Sequence, residues 1–166
     1  MSSSPAEAFD VDAFRRTLGA FATGVAIVAA EADDGSLVGM TMSSFNSVSL
    51  DPPLVLFSVA RSALCLPALK SARAFGISVL AQHQQELSTR FSRARGEKWA
   101  GVSHLRGAHG APLVMDAAAH LECVPHALHD GGDHEIFIAR VLEHRAQASD
   151  PLIFHAGRYR SLSAAH

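Results

Sequence analysis

The sequence is poor in cysteine, in tyrosine and tryptophan, and in charge. Its 166 residues include two cysteines, one tyrosine and one tryptophan, and only 18% are charged. Two cysteines are too few for a disulfide scaffold, and low charge with 48% hydrophobic residues excludes a disordered chain or a coiled coil. The net charge of −2 lacks the basic excess typical of surfaces that bind nucleic acid or anionic membranes.

Long hydrophobic runs are also missing. No stretch reaches the roughly 18 apolar residues that a membrane span needs. The polar start of the chain lacks the apolar core of a secretion signal. We therefore expect a cytoplasmic protein with a flexible segment over residues 1–9 and one domain over residues 10–163.

Motifs of several common catalytic sites are absent. The chain has no Gly-x-Ser-x-Gly nucleophile elbow, no phosphate loop ending in Gly-Lys-Ser/Thr and no Gly-x-Gly-x-x-Gly after a strand. A nucleotide bound here is therefore held without the usual helix-terminus fingerprints.

Ten histidines are the most unusual presence, and they raise the question of a metal site. None forms a helical His-x-x-x-His pair with an adjacent Glu, and no Cys-x-x-Cys exists. His120, His126 and His129 fall on one predicted strand, with His120 and His126 on one face. Scattered surface histidines still explain the set better than a metal. Cys65 and Cys123 lie in apolar stretches and are interpreted as reduced thiols rather than as a disulfide or a nucleophile.

Short strands joined by hairpin turns dominate the predicted secondary structure. Predicted strands cover residues 25–30, 37–50, 54–59, 75–80, 112–115, 119–129, 134–144 and 151–162. Predicted helices run from Asp10 to Phe21, from a Ser62 cap through Leu69, and over residues 84–91. The tetrad at 130–133, Asp-Gly-Gly-Asp, is the clearest hairpin turn. This pattern predicts a mainly β protein, a closed or nearly closed antiparallel barrel.

The segment 39–54 carries an unusual density of small hydroxyl side chains. With a period of two, Thr41, Ser43 and Ser47 share one face, whereas Met40 and Ser44 share the other. Such a strand lets a flat polar ligand approach the backbone. A solvent-facing edge strand is an equally good interpretation of this segment alone.

Five blocks in order resemble the short-chain flavin reductases, the NAD(P)H-dependent components of two-component flavin monooxygenases. They are Phe-Ala-Thr-Gly-Val at 21–25, Gly-Met-Thr-x-Ser-Ser-Phe-x-Ser-Val-Ser-Leu-x-Pro-Pro-Leu at 39–54, Phe-Gly-Ile-Ser-Val-Leu at 75–80, Gly-Asp-His at 132–134 and Pro-Leu-Ile-Phe-His-x-Gly-x-Tyr at 151–159. The resemblance covers nearly the whole chain.

The resemblance implies an FMN-binding split β-barrel with Greek-key antiparallel strands, a homodimer, and flavin near the subunit interface. It implies FMN or FAD as flavin and NADH or NADPH as hydride donor, with a partner monooxygenase receiving the reduced flavin. The implied cofactor-binding residues are Gly39, Met40, Thr41, Ser43 and Ser44 around the isoalloxazine ring, Ser58, Arg61 and Ser62 at the flavin phosphate, and Arg158 and Tyr159 in a closing C-terminal block.

His134 matches the family histidine on the nicotinamide side, and the resemblance implies a catalytic role for it. A hairpin-end histidine facing water is the alternative. For the whole chain, the alternative from another class is a non-catalytic split barrel that holds flavin or haem. A relative of the pyridoxamine-phosphate oxidases is less favoured, because the basic phosphate cluster expected of one is thin.

Overall fold

The computed structural model describes residues 9–162 as a mainly β protein with three short helices. The helices are α1 (Val11–Leu18), α2 (Leu66–Ser71) and α3 (Gln85–Ser92), and a 3-10 turn covers Gln82–Gln84. The strands are β1 (Thr23–Gly24), β2 (Ala26–Glu31), β3 (Leu37–Met42), β4 (Asn46–Leu50), β5 (Pro53–Ala60), β6 (Phe75–Val79), β7 (His104–Arg106), β8 (Pro112–Val114), β9 (Ala119–Gly131), β10 (His134–Ala146), β11 (Ile153–His155) and β12 (Arg158–Arg160).

Seven strands form the main sheet, in the order β3-β2-β6-β9-β10-β5-β4, and every neighbouring pair is antiparallel. A three-stranded sheet joins β1, β11 and β12, and β7 pairs with β8. The predicted antiparallel, mainly β architecture is confirmed. The expected flexible segment lies almost wholly outside the described residues, as does residue 163.

Strand β2 is buried on both faces and separates two hydrophobic cores. Ala26 and Val28 face the first core, and Ile27 and Ala29 face the second. Each of these side chains is at most 2% exposed. A strand covered on both faces needs apolar residues at every position, which explains the uninterrupted run seen in the sequence.

Aromatic rings fill the centre of the first core. Phe57 stacks on Phe137 with ring centroids 5.0 Å apart, and Phe75 meets both rings edge-on. The second core packs Phe91 edge-on against Trp99, at 4.9 Å. Aromatic pairs in these geometries contribute about 0.5–1.5 kcal/mol beyond the area they bury.

Gly76 in β6 lets β8 cross the sheet at close range. A Cβ atom at this position would stand 1.9 Å from the carbonyl oxygen of Pro112. Only a residue without a side chain fits there, so this glycine is required by packing.

The predicted strand over residues 37–50 is wrong as a single element. The chain bends at residues 43–45, and the two halves become β3 and β4 at opposite edges of the main sheet. The predicted alternation of faces therefore does not continue across the bend.

Helix boundaries differ from the prediction at two places. Asp10 caps α1 as expected, because its carboxylate accepts hydrogen bonds from the backbone N–H groups of Asp12 and Ala13 at 3.0 and 2.9 Å. The helix, however, ends at Leu18, before Phe21. Ser62 does not cap α2, which begins after Cys65 without a side-chain cap.

The β9–β10 hairpin is the longest feature, and the predicted turn at 130–133 closes it. A register irregularity near Pro125 interrupts the alternation along β9. His120 is buried, and its Nε2 lies 2.6 Å from the carbonyl oxygen of Val114, whereas His126 is exposed. The two histidines therefore differ in burial, and of the two only His120 has a side-chain hydrogen bond within residues 9–162.

Two features are absent from residues 9–162. No helix there has the length and apolar character to cross a bilayer. No group of three or more His, Cys, Asp or Glu side chains in that range is arranged to hold a metal ion.

Candidate active site

A pocket of about 550 Å³ opens beside strand β3. Its lining comes from three segments: residues 37–41 of β3, residues 62–65 before α2, and the end of α3 with the loop that follows it, residues 91–98. A volume of this size is typical of small-molecule sites. Four of the predicted residues meet here, namely Gly39, Met40, Thr41 and Ser62.

Gly39 brings the backbone of β3 close to the second core. A Cβ atom there would stand 3.0 Å from a ring carbon of Phe91 and 3.3 Å from one of Trp99. The absence of a side chain at this position therefore lets the Phe91 and Trp99 rings pack closely against the strand.

Thr41 is fixed by a contact with α3. Its hydroxyl donates a hydrogen bond of 2.7 Å to the carbonyl oxygen of Ser88. The Ser88 hydroxyl lies 2.8 Å from the hydroxyl of Tyr159. Through Ser88, the wall of the pocket is linked to the C-terminal hairpin, although Tyr159 itself does not line the pocket.

Cys65 and Met40 form a sulfur-rich wall, with 3.7 Å between their sulfur atoms. Burial raises the pKa of the Cys65 thiol, although the positive charge of Lys98 opposes the shift. The thiol is therefore predominantly protonated at neutral pH, which disfavours a nucleophilic role.

Lys98 lines the pocket and is absent from the set predicted from the sequence. Its ammonium donates hydrogen bonds of 3.2 Å to the carbonyl oxygens of Gly39 and Phe91. Burial lowers its pKa. No local motif marks this lysine, because it stands in a charged loop and reaches the pocket only through the fold.

Ser44 and Ser58 are brought together at the bend after β3. The Ser44 hydroxyl accepts a hydrogen bond from the backbone N–H of Ser58 at 3.0 Å and lies 3.1 Å from its carbonyl oxygen. This pair joins the bend to β5. Ser43, Ser44 and Ser58 do not line the pocket itself.

Arg61 lies at the turn of the β9–β10 hairpin, one residue before Ser62. Its guanidinium donates to the carbonyl oxygen of Gly132 at 2.8 Å and pairs with Glu135 at 2.9 Å and with Asp130. Glu135 is 7% exposed and also pairs with Lys70 at 3.0 Å. These contacts use three of the five guanidinium N–H groups, so two remain for a ligand.

His134 lies opposite Ala60 in the β5–β10 register, on the same corner as Arg61. Its Nδ1 is 2.7 Å from the Asp133 carboxylate. The hydrogen bond from His134, assisted by its charge, lowers the pKa of Asp133. The carboxylate orients the ring, and Nε2 is left for another partner.

The remaining predicted residues lie outside the pocket lining. Arg158 is exposed on the C-terminal hairpin, where it pairs with His155 across β11 and β12. The candidate site thus combines a pocket beside β3, a charged corner at Arg61 and His134, and a C-terminal hairpin joined to the pocket through Ser88.

The antiparallel sheet and the pocket beside its edge strand β3 agree with one family of known proteins. The chain belongs to the flavin reductase like domain family, whose model matches residues 18–163. The resemblance stated from the sequence is therefore confirmed.

Individual relatives support the same family assignment. The FMN reductase (NADH) SmoA of Agrobacterium fabrum is 43% identical over 150 residues, which cover 90% of this chain and 85% of that protein. The reductase subunit HsaB of a flavin-dependent monooxygenase from Rhodococcus jostii is 37% identical over 158 residues, which cover 95% of this chain and 80% of that protein. The NADH:FAD oxidoreductase SgcE6 of Streptomyces globisporus, solved in complex with NAD and FAD fragments, is 36% identical. It aligns with a TM-score of 0.89 over 97% of this chain and 98% of that chain. The predicted split-barrel class is thereby confirmed.

Proposed function

We propose that this protein is an NAD(P)H-dependent flavin reductase that reduces free FMN or FAD and supplies the reduced flavin to a partner monooxygenase. The observation that carries the proposal is the similarity over nearly the full chain to SgcE6, which is described as an NADH:FAD oxidoreductase and was solved with NAD and FAD fragments. The names of the other relatives support the same activity.

The polar groups of the pocket fit a flavin ring. Gly39 offers strand backbone, the Thr41 hydroxyl, which donates to Ser88, offers its oxygen as an acceptor, and Lys98 offers a cation. We assign Gly39, Met40 and Thr41 to the isoalloxazine ring, with Ser43 and Ser44 shaping the bend beside it. This assignment places the ring against β3.

The flavin phosphate is assigned to the corner formed by Ser58, Arg61 and Ser62. Arg61 has two N–H groups left after its protein contacts, and a planar guanidinium suits a phosphate. Two neighbouring carboxylates reduce the net positive charge there, so the geometry of the fork contributes more than its charge. Arg158 and Tyr159 are assigned to the hairpin that closes over the cofactor.

His134 is assigned to the nicotinamide side of the site. The Asp133 carboxylate holds its ring, and Nε2 remains available for an amide or a phosphate of the dinucleotide. When bound, the two cofactors supply the chemistry, because hydride passes from nicotinamide C4 to flavin N5 once the rings stack. The protein contributes position and electrostatics.

Oxidation of NADH or NADPH, followed at 340 nm with FMN, FAD or riboflavin added, tests the activity. Flavin-dependent oxidation supports the proposal, and its absence with both nucleotides overturns it. Flavin or haem binding without oxidation would support the alternative, a non-catalytic split barrel. Testing each nucleotide with each flavin also identifies the preferred pair.

We also propose that the protein is a homodimer. Helix α1 has no buried residue, and Phe9 and Phe21 beside it are 73% and 76% exposed. Leu50, on edge strand β4, is 94% exposed. Apolar side chains at this exposure are typical of a surface covered by a second copy. Light scattering after size-exclusion chromatography tests the proposal, and a monomeric mass would refute it.

The partner and the location follow from the same activity. Reduced flavin can diffuse, so the partner monooxygenase can receive it without a stable complex. We propose a cytoplasmic location because the hydride donor is an intracellular nucleotide. Fractionation of cells that produce the protein tests this proposal.

A further inference from the structure

Lys98 carries a half-buried positive charge that the fold does not neutralise. Its ammonium lies against two backbone carbonyl groups, those of Gly39 and Phe91, each at 3.2 Å. Among residues 9–162, no carboxylate lies within 4.0 Å of this ammonium. Lys70, by contrast, pairs with Glu135.

A half-buried ammonium without a neighbouring carboxylate favours the binding of an anionic ligand. Removing an ammonium from water is costly, and carbonyl dipoles offset only part of that cost. Burial accordingly lowers the pKa of Lys98. Glu97 and Arg93 also line the pocket, but both are exposed and neither forms an ion pair with a described residue. One N–H of the ammonium has no acceptor among the described residues and is left for a ligand.

We propose that the Lys98 ammonium binds the edge of the isoalloxazine ring and stabilises the negative charge that the ring gains on reduction. This inference rests on the proposed function. The hydrogen bond from Lys98 to the Gly39 carbonyl oxygen places the ammonium beside β3, the strand assigned to the isoalloxazine ring. The phosphate is assigned instead to Arg61, which does not line this pocket, together with its neighbour Ser62, which does.

The chemistry of hydride transfer accounts for the charge. The C4–H bond of the dihydronicotinamide breaks, an N5–H bond forms on the flavin, and both electrons of the broken bond move with the hydrogen. The nicotinamide becomes a cation, and the flavin, neutral before the step, gains one negative charge spread over N1 and the C2 carbonyl oxygen. Charge near these atoms is a main means by which a protein tunes a flavin.

Affinities for the two redox states of flavin test the role of Lys98. For K98M, we expect the affinity for reduced flavin, measured anaerobically, to fall about tenfold more than that for oxidised flavin, as the loss of one charge-assisted hydrogen bond implies. A tenfold fall in the ratio of the affinity for reduced flavin to that for oxidised flavin lowers the two-electron midpoint potential of the bound flavin by about 30 mV. In K98R, which keeps the positive charge, the ratio of the two affinities should return most of the way to the wild-type value. R93M removes a positive charge from the same pocket at an exposed side chain, and its effect on the ratio should be under about twofold.

Riboflavin, FMN and FAD distinguish the ring from the phosphate. The proposal requires the effect of K98M to be present with riboflavin, which has no phosphate. An effect confined to FMN and FAD, and equal in both redox states, would assign Lys98 to the phosphate and overturn the proposal. Equal loss for all three flavins in both states, with a lowered melting temperature, would make Lys98 structural and also overturn it.

The two proposals fail in different ways. If wild-type protein binds flavin and oxidises NAD(P)H while K98M shows an unchanged ratio, only the Lys98 inference fails. If wild-type protein neither binds flavin nor oxidises NAD(P)H, the proposed function fails and the inference fails with it.

Discussion

Glu135 is the buried end of the Arg61 network, and its replacement by glutamine tests that network and the phosphate role of Arg61 together. Its carboxylate accepts hydrogen bonds from Arg61 at 2.9 Å and from Lys70 at 3.0 Å. E135Q keeps the size of the side chain and removes its charge.

The expected loss of stability in E135Q follows from the solvent exposure of the two cations, Arg61 and Lys70. A hydrogen bond to a charged group contributes about 1.5–3 kcal/mol when fully formed. Both cations are 43% exposed, so solvent reduces each pair to about 0.5–1 kcal/mol. The two pairs together therefore contribute about 1–2 kcal/mol, which corresponds to about 2–8 °C in melting temperature for a domain of this size.

Thermal unfolding by circular dichroism measures the effect, with D130N as the matched control. Asp130 pairs with the same guanidinium, but its side chain is 80% exposed, and its loss should change the free energy of unfolding by less than about 0.5 kcal/mol. If E135Q is no more destabilising than D130N, burial of Glu135 does not determine the strength of this network.

The same variant also tests the phosphate site. A loosened Arg61 should weaken FMN binding about threefold to tenfold, as expected for a misplaced charge-assisted contact, and leave riboflavin binding unchanged. Equal effects on both flavins would contradict the assignment of Arg61 to the phosphate.

Three further predictions concern packing, thiol reactivity and the nicotinamide side. Gly76→Ala should cost about 3 kcal/mol or more in unfolding free energy because its Cβ would overlap a backbone carbonyl group, whereas Gly24→Ala, with no atom within 4 Å, should change stability by less than about 0.5 kcal/mol. Burial, with a smaller contribution from a nearby carboxylate, raises the pKa of Cys123 to about 12. A thiol reagent at pH 8 should therefore label Cys65 slowly and Cys123 only after unfolding, and rapid native labelling of Cys123 would contradict its burial. His134→Ala should raise the KM for NAD(P)H while the flavin dissociation constant stays unchanged, and normal NADH kinetics in this variant would remove His134 from the site.

Elements governed by local sequence were predictable. The apolar run of β2 and the Asp-Gly-Gly-Asp turn determine their own conformations, and the structure agrees with both. Asp10 likewise caps α1 through contacts within three residues. Local hydrogen bonds and burial on both faces leave a direct pattern in the sequence.

Features governed by long-range contacts were not predictable. The segment 37–50 has one continuous pattern, but its halves pair with different strands, β3 with β2 and β4 with β5. Lys98 stands in a loop and reaches Gly39, 59 residues earlier in the chain. The resemblance identified Gly39, Met40, Thr41 and Ser62 for the pocket, whereas no pattern in the sequence marked Lys98.

The position of β2 between the two cores determines how the pocket responds to fluctuations. Because β2 belongs to both cores, we expect its amide groups to exchange with solvent only when the whole domain unfolds. The β3 amides bonded to β2 should share this protection, which would hold in place the wall that carries Gly39 and Thr41. The facing loop over residues 93–97 is exposed throughout and should exchange hydrogen locally and fast. One wall of the pocket is thus rigid and the other adaptable, an arrangement suited to a site that must bind and release two ligands in every cycle.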